Sequence, residues 1–563
     1  MDIASVPGTL RVLDNAHITR GGEIEKALSF VEAQALPAGE TFGCAASNGT
    51  TYVFGSVSSP TIPAAAINIS LTYQQLVHPT SQAMSKVLSV DFFDGKPYVA
   101  AQYADGSIHH FYNGSRVTDW FDGRARASIA ITGGTVSVGV NKISSIKVGG
   151  VEVLSGAVNM AGTTTLTAAA LATNINAFTS SPNYTATSTG AILNVIAAIA
   201  ATADNGLSVV TVVAGDVTID PASTVLDGGA DSSTFGAVPG EFVKTVKSKM
   251  YSTSGSLLHY AQVDNPTEWN NTDLGAGFDN LSNNASGSEN LTALATYFSN
   301  LAIFAEESIQ IWFVDVDPVA NQQLQVLNNT GTFAPRSVRE FGDNDVFYLS
   351  KSGVRSLRAR DSSNAAFVND VGTAIDDIIV PVVRDNYTEA VNAVSVVEPR
   401  AGRYMLALDG CIYVFSFFPT SKISAWSCYK EVNVTDMTVF DGRVLSRVGD
   451  TISMLGGSDQ KTYDTSVVMV ELPYLTAGQP GHQKSWTGID VACEGTWDIY
   501  VNFDPDTPTE FMEVGQISEN TYGYGRLDFQ GQGTHCKIKL VSSGAGAAKI
   551  GNLAVHFKVD EEE

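Results

Sequence analysis

Residues 92–123 read FFDGKPYVAAQYADGSIHHFYNGSRVTDWFDG. Residues 98–103 are a short run of β-formers, Ala104-Asp105-Gly106 is turn chemistry with a glycine free to take positive φ, and residues 108–112 are a second run. The stretch predicts a β-hairpin. The same grammar recurs around Asn48-Gly49, Ser254-Gly255, Glu306-Glu307, Ser352-Gly353, Asp409-Gly410 and Gly449-Asp450. With the block 127–236 set aside, these turns fall roughly 40 to 60 residues apart, near the spacing of β-propeller blades and far from that of helical solenoids. A propeller-like platform of small antiparallel sheets is the expected architecture; a set of unrelated sandwich hairpins is the competing one.

At 563 residues the chain exceeds one ordinary core, so several domains are expected. Glycine is abundant at 51 and charged residues make up only 16%, a mix that suits many short strands joined by tight turns. The formal charge of -25 disfavours a basic grip on nucleic acid or on an anionic membrane. It is compatible with a passive conduit for DNA, because a wall that repels phosphates does not hold the strand back. The cysteines at 44, 411, 428, 493 and 536 are scattered, without a CxxC pair or zinc spacing, and read as buried reduced thiols. The first residues lack a basic start followed by an apolar region, so no secretory signal is visible and assembly in a reducing cytoplasm is expected. The most apolar patch, AILNVIAAIAA at 191–201, is about half the length that spans a bilayer and reads as a buried strand or helix.

Along the chain, residues 1–126 read as the first part of the platform. At 127–236 the composition turns to Ala, Thr, Val, Gly and Asn with few charges, which marks an insertion. Within it, Leu166, Ala170, Leu171, Ile175 and Phe178 stand at near-helical spacing between alternating strands, so a small α+β domain is expected. It is either a docking surface or decoration. Residues 237–471 resume the hairpins, with a polar linker at 270–290 and, at 374–389, a short helix expected to break near Pro381. From 472 to 563 about six alternating strands predict a C-terminal β-sandwich-like domain that ends in an acidic tail at 560–563.

Several pieces stand in a distinctive order: NxxxxRGGxIEKxxxF from Asn15, LPAGETFG at 36–43, YVFG at 52–55, IPAAAINISLTYQQLVHPT at 62–80, then MSKVLSVDFFDGKPYVAAQYADGSIHHFYNG and VTDWFDG. Together they resemble the tail nozzle proteins of short-tailed bacteriophages, also described as tail tubular protein B-like or packaged-DNA stabilisation proteins. The resemblance is looser over 235–457, through LAIFAEESIQIWFV and DNDVFYLSKSGVRSLRAR. DG and NG hairpins occur everywhere; the ordered combination carries the likeness. It implies a structural virion protein, not an enzyme, that forms a homohexameric ring around the DNA channel below the head-to-tail adaptor. Such a ring retains packaged double-stranded DNA, conducts it during ejection without reading its sequence, and offers surfaces to tail fibres or spikes. The implied location is the virion tail, assembled in the host cytoplasm, with no membrane-spanning segment.

The alternative is a carbohydrate-binding or carbohydrate-degrading propeller of a phage tail, since propellers host such sites in central funnels lined by acidic residues. Acidic pairs exist at Asp343 with Asp345, Glu306 with Glu307, Asp91 with Asp94, and Asp376 with Asp377. Turn chemistry already explains acids at these positions. A sugar site needs such acids to converge with aromatic residues, here Trp120, Trp269, Trp312 and Trp426. His109 and His110 are adjacent and point to opposite faces of a strand, as do His535 and Cys536, so neither pair binds one metal. The sialidase-type S-x-D-x-G-x-x-W box, GxSxG, a P-loop, HExxH and EF-hand spacing are all missing. No catalytic, cofactor-binding or metal residue is therefore assigned, and no cofactor is expected.

Overall fold

A computed structural model describes residues 10–120, 122–231, 239–270, 274–282, 289–342, 345–359, 366–430 and 432–559. The chain is mainly β and divides into two compact units: Met1–Arg116, Thr292–Phe313 and Gln322–Glu563 form one, and Val117–Leu291 with Val314–Asn321 form the other.

The opening stretch builds more than one hairpin. Strands Met84–Phe93, Lys96–Tyr103, Ile108–Tyr112 and Ser115–Arg116 form a four-stranded antiparallel meander with three turns. Two of those turns are Asp94-Gly95 and Asn113-Gly114, in which both central residues take positive φ, the geometry of a type I′ turn. Asn and Asp tolerate the left-handed region and glycine enters it freely, so these dipeptides fix the register.

The first unit repeats this meander. Leu291–Tyr297, Asn300–Ala305, Ser308–Phe313 and Gln322–Asn328 make one sheet; Arg339–Glu340, Asp345–Ser350, Gly353–Ala359 and Ala366–Asn369 make the next. Val394–Glu398, Arg403–Leu408, Cys411–Phe418 and Ile423–Lys430 follow, then Asp436–Phe440, Arg443–Val448 and Thr451–Leu455. The fourth strand of this last sheet is Phe30–Ala35, from the other end of the sequence. Phe42–Ser47, Thr50–Gly55 and Leu71–Gln75 form a three-stranded sheet, followed by the meander of the opening stretch. Successive sheets pack face to face. Phe304 meets Tyr348, Phe347 meets Tyr404 and Phe415, Val414 lies with Met437, Leu445 with Val53, and Phe54 with Val99. This is the propeller-like platform: inner strands such as Asp345–Ser350 and Arg403–Leu408 are buried on both faces between neighbouring sheets, whereas Leu291–Tyr297 alternates buried and half-buried positions.

The remainder of the first unit is a sandwich of two sheets around Trp486, Trp497, Ile489, Val501 and Ile538. One sheet carries Val468–Glu471, Lys537–Ser542, Trp497–Asn502 and Met512–Ile517; the other carries Lys549–Val559, Lys484–Glu494 and Leu527–Gly533. Here the structure differs from the reading of 1–126 as platform alone. Val12–Asp14 pairs with Val468–Glu471 on one side and with Ile423–Lys430 on the other, and Ala16–Ile18 and Ile24–Lys26 belong to the second sheet. Strands of three residues cannot form a sheet by themselves, so they complete existing edges. The fully buried Lys26 secures the place by donating from Nζ to the Gly544 carbonyl at 2.6 Å.

In the second unit, Arg124–Gly133, Thr185–Thr189, Ile192–Ala200 and Thr218–Asp220 form one sheet, and Lys142–Val148, Val151–Glu152, Val158–Asn159, Ser208–Ala214 and Ser223–Val225 another. The helix Thr164–Ala177 covers them. The apolar patch at 191–201 is thus a strand. The helix buries Ala168, Leu171, Ala172 and Ile175, whereas Leu166 is exposed. Thr163 accepts from the Leu166 amide and caps the helix, which places Leu166 in the first turn on the outer side. This unit also holds a four-stranded meander, Phe242–Val246, Lys249–Ser254, Leu257–Tyr260 and Gly277–Asn280, of the platform type.

Pro381 does not break its helix. The helix Asp376–Asp385 runs through it and ends at Asn386, after which Tyr387–Val391 begins a second short helix. Residues 232–236 of the insertion, 271–273 and 283–288 of the polar linker, and the tail 560–563 lie outside the described residues.

Candidate functional site

Four of the acids read from the sequence, Asp345, Glu306, Glu307 and Asp376, have cationic partners nearby. Asp345 is buried and pairs with Arg358 at 3.0 Å; burial pushes its carboxyl up to about 6, against the pull of that arginine. Its sequence partner Asp343 lies outside the described residues. Glu306 and Glu307 are exposed at their turn and both pair with Lys351, at 3.0 and 2.7 Å, which raises the lysine above its usual range. Asp94 supplies positive φ to its turn, while Asp91 lies on the preceding strand. Asp376 opens its helix and binds Arg355, which also grips Asp370 at 2.7 Å. For Asp345, Glu306, Glu307 and Asp376 the partner is a cation rather than a second carboxylate: across a strand pair for Asp345, at a turn for the two glutamates and at a helix start for Asp376.

The indoles are likewise engaged. Trp120 and Trp269 stack with centroids 4.9 Å apart, and their Nε1 groups donate to the Val117 and Pro266 carbonyls. Trp312 donates to Gln310 within its own sheet. Trp426 donates to the Val371 carbonyl and stacks on Phe415. The predicted opposition of His109 and His110 holds in kind: His110 is fully buried against the Tyr98 hydroxyl, whereas His109 lies edge-on to His78. Among the described residues there is no group of three or more His, Cys, Asp or Glu side chains placed to hold a metal ion. No helix among them is long and apolar enough to cross a membrane.

The second unit also holds a cleft that sequence reasoning missed, ≈ 450 Å³ in volume and lined by Gln262, Val263, Leu274, Gly275, Val316, Asp317 and Pro318. Behind its wall lies Lys249, fully buried, with Nζ donating to the carbonyls of Gly275 at 2.5 Å and Val316 at 3.3 Å and sitting 4.7 Å over the Tyr260 ring. Burial pulls this ammonium down to about 8, opposed by Asp279, Asp317 and Asp315. Gly275 takes positive φ, and a Cβ there would stand 3.1 Å from the Val316 carbonyl and 3.3 Å from the amine, so the cage requires glycine. The lysine fastens the segment Val314–Asn321 to the sheet beneath it. Being enclosed, it does not reach the cleft as an acid or base.

In the same sheet His259 is buried, its Nε2 without a hydrogen-bond partner in the structure, and burial pulls its pKa down to about 4. The fold rejects its protonated form, so the neutral ring's contribution is complete above the unfolded value near 6.5 and is lost as pH falls toward 4. Urea unfolding should show about 3 kcal/mol of acid destabilisation from this group, and His259→Gln should flatten that part of the profile.

Comparison with known proteins assigns no family. No family model matches the chain, and no curated protein does. Among solved structures, the chain is similar to the β-propeller domain of Cps50 (Swd1) from Myceliophteria thermophila, with 10% identity over 41% of this chain and 64% of that one and a TM-score of 0.23. The AfRom2 CNH domain aligns with 9% identity over 47% of this chain and 86% of that one, with a TM-score of 0.24. The chain thus spans just under two thirds of the first of these.

Proposed function

We propose that this protein is a structural virion component, a tail nozzle subunit that assembles as a hexameric ring around the DNA channel of a short-tailed bacteriophage. One observation carries the reading: the ordered run of motifs from Asn15 to Gly123 that resembles the nozzle family. The start of that run joins two parts of the first unit, since Ala16–Ile18 and Ile24–Lys26 lie in the sandwich, as does Val12–Asp14 just before them, while Phe30–Ala35 completes a platform sheet. A subunit whose platform and sandwich share one continuous strand path transmits load between them, as the wall of a pressurised channel must. The net charge of -25 suits a bore that conducts DNA without binding it. A closed ring satisfies its interfaces with one repeated patch type. The engagement of the acidic pairs and of the indoles in local packing weighs against a sugar cleft.

The test is native mass measurement of the full chain alone and with the particle's head-to-tail adaptor. A hexamer, free or formed on the adaptor, is the expected result. A monomer or trimer that ignores the adaptor and shortens a capsular polysaccharide would overturn the proposal in favour of the carbohydrate-acting reading.

A further inference from the structure

Cysteines that are scattered in sequence meet in space at one place. Cys411 opens the strand Cys411–Phe418 directly after the Asp409-Gly410 turn, and Cys428 lies on the antiparallel neighbour Ile423–Lys430. The register sets Cys411 opposite Lys430 and Tyr413 opposite Cys428, so both cysteines share one face as diagonal neighbours. Their sulfurs are 2.8 Å apart, with the Cys428 thiol donating to Cys411. Both are free and half-buried, whereas Cys44 and Cys536 are buried. Lys430 forms an ion pair with Asp14 at 2.5 Å beside them.

We propose that Cys411 and Cys428 are a redox modification site, a dithiol that closes to an intramolecular disulfide by exchange with a low-molecular-weight disulfide of the glutathione class. Cys411 is the attacking thiol. The hydrogen bond from Cys428, with Lys430 nearby, holds it below the usual thiol range, while Cys428 is held above that range by the same contact. The Cys411 thiolate attacks one sulfur of the small disulfide, forming a mixed disulfide and expelling one small thiolate. Cys428 loses its proton to the expelled thiolate and attacks the Cys411 sulfur, which releases the second small thiolate. Two protein thiols are oxidised to one disulfide, and one small disulfide is reduced to two thiols.

The location gives the bond a consequence. The Cys428 carbonyl accepts from the Asn15 amide at 2.7 Å, and the Lys430 amide donates to the Asn15 side chain at 2.8 Å. The strand bearing Cys428 is therefore the one to which Val12–Asp14 attaches, where the platform sheet continues into the sandwich. A link to Cys411 closes the hairpin at its open end, 17 positions along the chain, and restrains that seam.

The test uses the reduced full chain, incubated with excess oxidised glutathione, alkylated and peptide-mapped without reduction. The expected result is loss of two of the five thiols with a linked Cys411–Cys428 peptide pair and a raised urea midpoint. Cys428→Ser should instead retain a glutathionyl group on Cys411, since the resolving thiol is gone. Recovery of all five thiols, a stable adduct on Cys411 in the unsubstituted chain, or modification confined to Cys493 would each overturn the proposal. The map of the unsubstituted chain decides the matter even where a serine variant fails to fold.

Discussion

Arg447→Ala is expected to destabilise the first unit by about 3 kcal/mol, the order for leaving a buried carbonyl and its part-buried neighbours without a charged donor. The Arg447 side chain is almost wholly enclosed. Its Nε donates to the Gly449 carbonyl at 2.9 Å, Nη1 to Gly43 at 2.9 Å, and Nη2 to the Thr41 carbonyl at 2.5 Å and hydroxyl at 3.1 Å, with Asp450 at 3.5 Å. These acceptors belong to a turn of its own sheet and to the approach to the next sheet, so one guanidinium fastens two sheets together. Alanine leaves the buried Thr41 carbonyl and the part-buried Gly43 and Gly449 hydrogen bonds without this donor. Arg447→Lys should recover only a fraction, because a single ammonium lacks the planar fork that reaches all three. Urea unfolding followed by a platform signal measures both; equal stability of the lysine and arginine chains would contradict this assignment.

A chain that begins at Ser29 is expected to lose the sandwich as a cooperative unit, an effect on the order of 5 kcal/mol or more and comparable with the stability of a whole domain. The truncation removes Val12–Asp14 from between Ile423–Lys430 and Val468–Glu471, which cuts the nine-stranded sheet in two. It removes Leu13 and Ala16 from the sandwich core. It also removes Lys26, whose amine holds the Gly544 carbonyl. Exposed edges follow on both sheets, and unpaired edges invite association. Hydrogen exchange should show the protection of Lys537–Ser542 and Lys549–Val559 collapsing, while Arg339–Glu340 through Gly353–Ala359 keep theirs. Unchanged protection of the sandwich strands would show that the N-terminal strands are ornamental.

Much of the platform was legible because its signals are local. Asn48-Gly49 and Asp409-Gly410 both take positive φ in their turns, as their residue types require, and each joins the strands read on either side of it. The opening stretch held more than was read from it, since Asp94-Gly95 and Asn113-Gly114 carry the same signal as the Ala104-Asp105-Gly106 turn. What is non-local was not legible. Nothing in VLD at 12–14 tells that its partners lie more than four hundred residues away, and short strands take their place from the edges available to them. The exposure of Leu166 was set by the Thr163 cap rather than by the apolar spacing, and Pro381 was absorbed within its helix.

The sites divide in the same way. Of the acids read as turn chemistry, Glu306 and Glu307 stand at a turn and pair with Lys351, whereas Asp376 opens a helix and Asp345 lies in a strand, where each pairs with an arginine. The caged amine of Lys249 left no trace, as burial of a lysine depends on the carbonyls of Gly275 and Val316, far off in sequence. The Cys411 and Cys428 pair was within reach, because two cysteines on either side of a hairpin turn meet once its register is known.

Whether this chain walls a DNA channel, as proposed, is decided by side-chain-resolution imaging of the full chain assembled on the particle's adaptor. The expected result is a six-fold ring whose bore is lined predominantly by Asp, Glu and uncharged residues, in keeping with the -25 charge. A bore lined mainly by Lys and Arg, or an assembly without a central hole, would contradict it.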